Sequence, residues 1–474
     1  TLNSLGNQTN LIVDGDVTLT GGGALSMSNQ INNRILGLAS GDRLTNQDNV
    51  ISGAGQIGAN AMALTNQGTI VANLSVLLVI DPSGSGFINS GVLRASSGAT
   101  LRLLNGTFTN TGFTIDALAG STVEVNGSTV IGGTLDTVGT GVIKNFTFST
   151  LDGVTNAGSF AQTNASHVNL VGFLNNTGDF AINSVGNATD LLINGDVTLM
   201  GGGTLTLSNN TQNRIRGVSG TESFTNLNNT ISGGGQIGVN SLGVINLGTI
   251  FANGTATLEL DPSTTATLLN SGTITVAPAS KLLLYRGTFI NDASGTIDGG
   301  GTGDLVLASF FGVGTVTATF NVIAADMNPG VSGSGIVNVV GQYEHNVSGM
   351  LNIEVGGSAP GTGYDQLNVT GTAILNGSLN VSLINGFVPL PCQRFEVLNY
   401  TSLSGGIASF SGLNIGGGLF FRADTLSTGL VLTAYSTDDA VNVQPVNVNV
   451  SEDGTTADYN VCLATSSAPG SVVN

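Results

Sequence analysis

Short runs in which apolar and polar residues alternate fill most of the chain, as in Thr100-Leu-Arg-Leu-Leu104 and Val123-Glu-Val125. Gly, Asn and Ser clusters break these runs every six to ten residues. A period of two with β-branched enrichment and closely spaced turns predicts strands, and no stripe with the 3.6-residue period of a helix accompanies it. The pattern also repeats. Leu11-Ile-Val-Asp-Gly-Asp-Val-Thr-Leu19 returns as Leu191-Leu-Ile-Asn-Gly-Asp-Val-Thr-Leu199, and Ile51-Ser-Gly-Ala-Gly-Gln-Ile-Gly-Ala-Asn60 as Ile231-Ser-Gly-Gly-Gly-Gln-Ile-Gly-Val-Asn240, both at an offset of 180 residues. Asp81-Pro82 and Asp261-Pro262 keep that offset, so a tandem duplication is the simplest origin.

A finer beat runs inside each copy. Asn66-Gln-Gly-Thr-Ile70, Asn89-Ser-Gly-Val-Leu93 and Asn110-Thr-Gly-Phe-Thr114 start 23 and 21 residues apart. Asn246, Asn270 and Asn291 open the matching units of the second copy, while Asn156 and Asn176 keep the beat between them. A unit of about twenty residues holding two or three strands is one coil of a parallel β-helix, which buries its apolar face only by stacking on the next coil. Asn at one turn position is expected to adopt the left-handed conformation and to bond its amide to the Asn above and below. The Gly two residues later is expected to supply a positive-φ corner. At about 4.8 Å per coil, some twenty coils make a rod on the order of 100 Å long. The fold read from the residues is an all-β solenoid.

Composition narrows the function. Charged residues make up 8% of the chain, Gly 71 of 474 positions, and Trp is absent, so the core must be built from Val, Ile, Leu, Thr and Ala. A formal net charge of −18 disfavours nucleic acid and anionic membrane surfaces, which both demand basic patches. No apolar run approaches the roughly 20 residues of a membrane helix. Thr1 in place of Met reads as a processed or excised chain. The two cysteines, Cys392 and Cys462, have no neighbours at metal-ligand spacing. They are either inert thiols or a disulfide, the latter requiring an oxidising compartment.

From Gly312 the text changes: Gly312-Val-Gly-Thr-Val316, Asn328-Pro-Gly-Val-Ser-Gly333, Gly341-Gln-Tyr343, Leu351-Asn-Ile-Glu-Val355, Gly363-Tyr-Asp-Gln-Leu-Asn-Val-Thr-Gly371, Leu375-Asn-Gly-Ser-Leu-Asn-Val381 and Phe395-Glu-Val-Leu398 follow in series. This series resembles the stem of autotransporter-type bacterial surface passengers, and the upstream Asn-x-Gly-x-Ile coils resemble passenger and filamentous-haemagglutinin-like repeats. The resemblance implies a right-handed parallel β-helix exposed outside a bacterial cell, acting in adhesion or as a spacer. No outer-membrane barrel sequence follows the stem within these residues. After Tyr435 a linker at Asp438-Asp439 leads to Val441-Asn-Val-Gln-Pro-Val-Asn-Val-Asn-Val450, the turn Ser451-Glu-Asp-Gly454 and the return Ala457-Asp-Tyr-Asn-Val-Cys-Leu463. That hairpin resembles the opening of a Calx-β-like, immunoglobulin-like module, too short for a whole sandwich. Three segments result: coils with the duplication over 1–310, a stem-like β-helix over 311–435, and a linker with a partial sandwich-like tail over 436–474.

Chemistry is sparse. The acids are scattered, and the only histidines, His167 and His345, stand far from any Ser or Cys motif. Arg34 and Arg214, equivalent across the duplication, have no carboxylate cluster nearby in sequence and read as structural hydrogen-bonding groups. Gly21-Gly-Gly23 and Gly201-Gly-Gly203 lack the Lys of a phosphate loop. Thr-x-Thr pairs are too irregular for an ice-binding face. No cofactor follows from the residues; the Calx-β resemblance alone implies Ca²⁺ at Glu452, Asp453 and Asp458 with Asp438 and Asp439, which by themselves read as a solvated acidic turn. The expectation is a non-catalytic extracellular structural protein whose partner is itself, assembling head to tail through the 441–474 tail, with Cys392 and Cys462 at the joint or within one chain. The alternative is a monomeric adhesin stalk binding a glycan or other surface ligand, for which six Tyr and no Trp are a poor endowment, and a polysaccharide-active β-helix enzyme ranks behind both because the acids are scattered.

Overall fold

A computed structural model describes residues 1–285, 288–298, 304–331 and 333–436. The described chain contains no helix and forms a β-solenoid of parallel strands with about 14 turns. It divides into two units, one spanning Thr1–Phe289 with Ser294–Asp304, the other Ile290–Ala293 with Leu305 onward.

Three sheets wrap the first unit, and each coil contributes one strand to each. Gly55–Gly58, Ala63–Asn66 and Thr69–Ala72 make one coil. Leu78–Ile80, Phe87–Asn89 and Val92–Ala95 lie on them in parallel register as the next. Because parallel register places like on like, apolar residues form files down the interior. One file runs Ile51, Ile70, Leu93, Ile115, Leu135, each at most 1% exposed. Another brings Phe87 edge-on to Phe108 at 5.5 Å, and a third stacks Phe160 on Phe180 at 4.5 Å. Each such side chain contributes about 1.5–3 kcal/mol by leaving water. Later coils merge two strands into one that bends at a corner. Thr189–Met200 pairs through its first half with His167–Val171 on the second sheet and through its second half with Phe173–Asn175 on the third.

The duplication does not return to the face where it began. Thr9–Val13 lies on the first sheet, paired with Asn33–Gly37. Its counterpart, the first half of Thr189–Met200, belongs to the second sheet eight coils later, paired with Asn213–Gly217 in matching register. The copies are therefore related by eight turns and one further face.

The second unit has longer parallel strands. Ile336–Val355 pairs with Gln366–Leu375 and Ser378–Leu383. Arg394–Gly405 follows on Gln366–Leu375 and then pairs antiparallel with Gly429–Ser436, which also pairs antiparallel with Leu419–Thr425. Phe395 centres this closure, edge-on to Tyr364 at 5.3 Å and to Phe421 at 5.7 Å. No helix among the described residues is long and apolar enough to cross a membrane. The 437–474 segment, with Cys462 and the acidic residues of the tail, lies outside the described residues.

Candidate functional site

The asparagines of the turn beat end strands and point inward. Asn46 donates through Nδ2 to Asn66 Oδ1 at 2.9 Å, Asn66 to Asn89 at 2.9 Å, and Asn89 to Asn110 at 2.7 Å. In the second copy Asn226 donates to Asn246 at 2.9 Å and Asn246 to Asn270 at 2.8 Å. Asn291 donates to Val313 O at 3.0 Å. All six positions named from sequence are at most 2% exposed. The second amide hydrogen goes to a main-chain carbonyl, Val92 O from Asn66 and Gly91 O from Asn89, so both hydrogens of these amides are used.

Two of the reasons given for this motif are corrected. None of the six adopts the left-handed conformation; Asn60, Asn105, Asn240 and Asn385 do. Gly112, two residues after Asn110, has the expected positive φ of 80°, but Gly68, Gly91, Gly248 and Gly272 have ordinary φ. They are needed because the backbone presses on the coil beneath: a Cβ on Gly68 would stand 2.5 Å from Asn49 O, and one on Gly91 closer still to Gly68 O. Nor does one corner carry all the rungs. The first ladder ends second-sheet strands and the later one third-sheet strands, following the displacement between copies.

Arg214 does have a carboxylate. Asp190, fully buried, accepts from Arg214 Nε at 2.6 Å and Nη2 at 2.8 Å, and from Arg216 Nε at 3.0 Å; His167 Nδ1 approaches within 3.3 Å. Burial alone would raise the Asp190 pKa, but the hydrogen bonds and charges of the two guanidinium groups outweigh it and hold it below the usual range. The equivalent Arg34 faces Asn10 instead. Sequence reasoning missed the pair because Asp190 is 24 residues from Arg214 and meets it only through the register of adjacent coils. Glu222 caps a turn, accepting from Ser219 N, Ser219 Oγ, Gly220 N and Thr221 N. Against the opposing effect of burial, these donors bring it down to about 2.

The second unit carries a polar groove of about 470 Å³ whose lining includes Asn328, Asn352, Asn380, Ser382, Glu354 and Asp365. Burial pushes the Asp365 carboxyl up to about 7, against the hydrogen bonds it accepts from Glu354 N and Gly335 N, both at 2.7 Å. Elsewhere in the second unit, Cys392 is disulfide-bonded and its N–H donates to Ala434 O at 2.7 Å. His345 lies fully buried with neither ring nitrogen hydrogen-bonded, beside Tyr343, whose buried hydroxyl is likewise without a partner. Among the described residues, no group of three or more His, Cys, Asp or Glu is placed to hold a metal ion. Neither protein-family models nor curated proteins give a match to this chain.

Proposed function

We propose that the protein is a non-catalytic extracellular structural element, a stiff β-solenoid that assembles head to tail into a surface fibre or layer. The observation that carries this reading is the uninterrupted parallel stack of the first unit, with in-register apolar files and buried amide ladders. Every coil is held to its neighbours along three sheets, which resists bending and leaves no cheap local opening. A parallel stack of this kind can be continued by the coils of a second copy wherever a strand edge is left open. The disulfide at Cys392 supports an oxidising compartment outside the cell. Electron microscopy of the purified protein in oxidising and reducing buffer tests the proposal: uniform filaments are expected, and particles that stay single at high concentration would refute assembly. Deleting residues 441–474 is expected to give soluble monomers; fibres that persist unchanged would remove the tail from the joint.

A further inference from the structure

A second ladder of asparagines differs from the buried ones in how much of its bonding capacity it uses. In the second unit Asn352 Nδ2 donates to Asn328 Oδ1 at 2.7 Å, Asn380 Nδ2 to Asn352 Oδ1 at 3.2 Å, and Ser411 Oγ to Asn380 Oδ1 at 2.8 Å. Each carboxamide has two hydrogens and two lone pairs. The inter-rung bonds of Asn352 and Asn380 take one of each, and neither Nδ2 makes the second, main-chain bond that closes the buried rungs. These side chains are half-buried and form the floor of the groove. Glu354 and Ser382 are in register two residues further along the same strands, adding a second polar file.

We propose that this groove binds an extended, non-anionic glycan chain, laid across successive coils. The floor presents amide, carboxyl and hydroxyl groups at the spacing of adjacent strands, about 4.8 Å. The rings of an extended β-linked glycan repeat at nearly the same interval, so one sugar can meet one rung after another. Unspent N–H and C=O capacity at each rung matches hydroxyl groups that both donate and accept. Among the described residues no Lys, Arg or His lines the groove, and it holds the Glu354 carboxylate, so acidic sugars are repelled and uncharged or amine-bearing ones admitted. The site is independent of fibre formation: it requires neither the tail nor a second copy.

Titration calorimetry of the full chain with cellohexaose, with the β-1,4-linked glucosamine hexamer and with hexagalacturonate tests the assignment. Binding of cellohexaose or the glucosamine hexamer, with hexagalacturonate at least tenfold weaker, is expected. Ser382→Arg fills the groove from an exposed position and should lower that binding tenfold or more with the melting temperature unchanged. Glu354→Gln keeps the main-chain N–H that Asp365 uses, and should relieve the exclusion of hexagalacturonate. Failure of both non-anionic hexamers to bind at millimolar concentration overturns the proposal, as does binding that Ser382→Arg leaves intact or that favours the acid.

Discussion

Asn89 shows what a single rung does. Its Oδ1 accepts from Asn66 while its Nδ2 donates to Asn110 and to Gly91 O. Asn89→Leu keeps the volume and leaves Asn66 Nδ2 and Asn110 Oδ1 without their partner inside the stack. A loss of about 2–4 kcal/mol is expected in denaturant unfolding, from one to two unsatisfied buried groups. An unchanged midpoint would mean the ladder is decorative. His345 runs the other way. Its burial disfavours the charged ring and lowers its pKa below 6.5, with the Gly349 backbone and Asp326 opposing. Such a histidine binds its proton more weakly folded than unfolded, so stability is intact above the unfolded value and is lost as pH falls below about 6.5. His345→Leu is expected to unfold less readily at pH 5 than the wild type, with the difference shrinking toward pH 7. Equal acid sensitivity of the two proteins would show that another group triggers the loss.

At the scale of elements, ionic contacts are set by coil register. Asp190 on one coil meets Arg214 and Arg216 on the next. Asp190→Asn recreates the first copy, where Asn10 faces Arg34. Removing one partner of a fully buried pair costs about 3–5 kcal/mol, but these arginines are 26% and 31% exposed and rehydrate. A loss nearer 1–3 kcal/mol in a thermal melt is expected, and no loss would make the cluster dispensable in both copies. Glu222 adds a pH signature of its own. With its pKa at about 2 in the fold against 4.5 for the free side chain, its contribution is present above about 4.5 and fades as pH falls toward 2. Glu222→Gln should therefore be destabilised by about 1–3 kcal/mol at pH 7 and indistinguishable from wild type near pH 2. Legibility divides along the same line. The coils were readable because alternation and the Asn-x-Gly beat are local: Thr100-Leu-Arg-Leu-Leu104 announces a strand by itself. The Asp190 cluster and the groove were not, because each joins residues a coil apart whose alignment depends on the length of every turn between them. Of the glycines after the asparagines, Gly112 has the positive φ that sequence implies, whereas Gly68 and Gly91 are there for close approach to another coil, which leaves no trace in local φ preference.

At the scale of the whole molecule, the proposed assembly turns on the direction in which strands are added. Within the first unit all coil-to-coil bonds run parallel to the stacking direction, and the duplication moves any repeated surface feature by one face rather than keeping it on one side. A lateral sheet of copies joined by one such feature would have to bridge two faces, whereas coil-on-coil addition ignores the displacement. Head-to-tail growth is thus the mode expected under the proposed assembly. Its signature is a strong reflection near 4.8 Å lying along the axis of oriented fibres, because strand spacing then coincides with the fibre direction. Side-by-side assembly would place that reflection away from the axis. Fibre diffraction from shear-aligned protein separates the two, and a reflection lying only off the axis would exclude coil-on-coil addition.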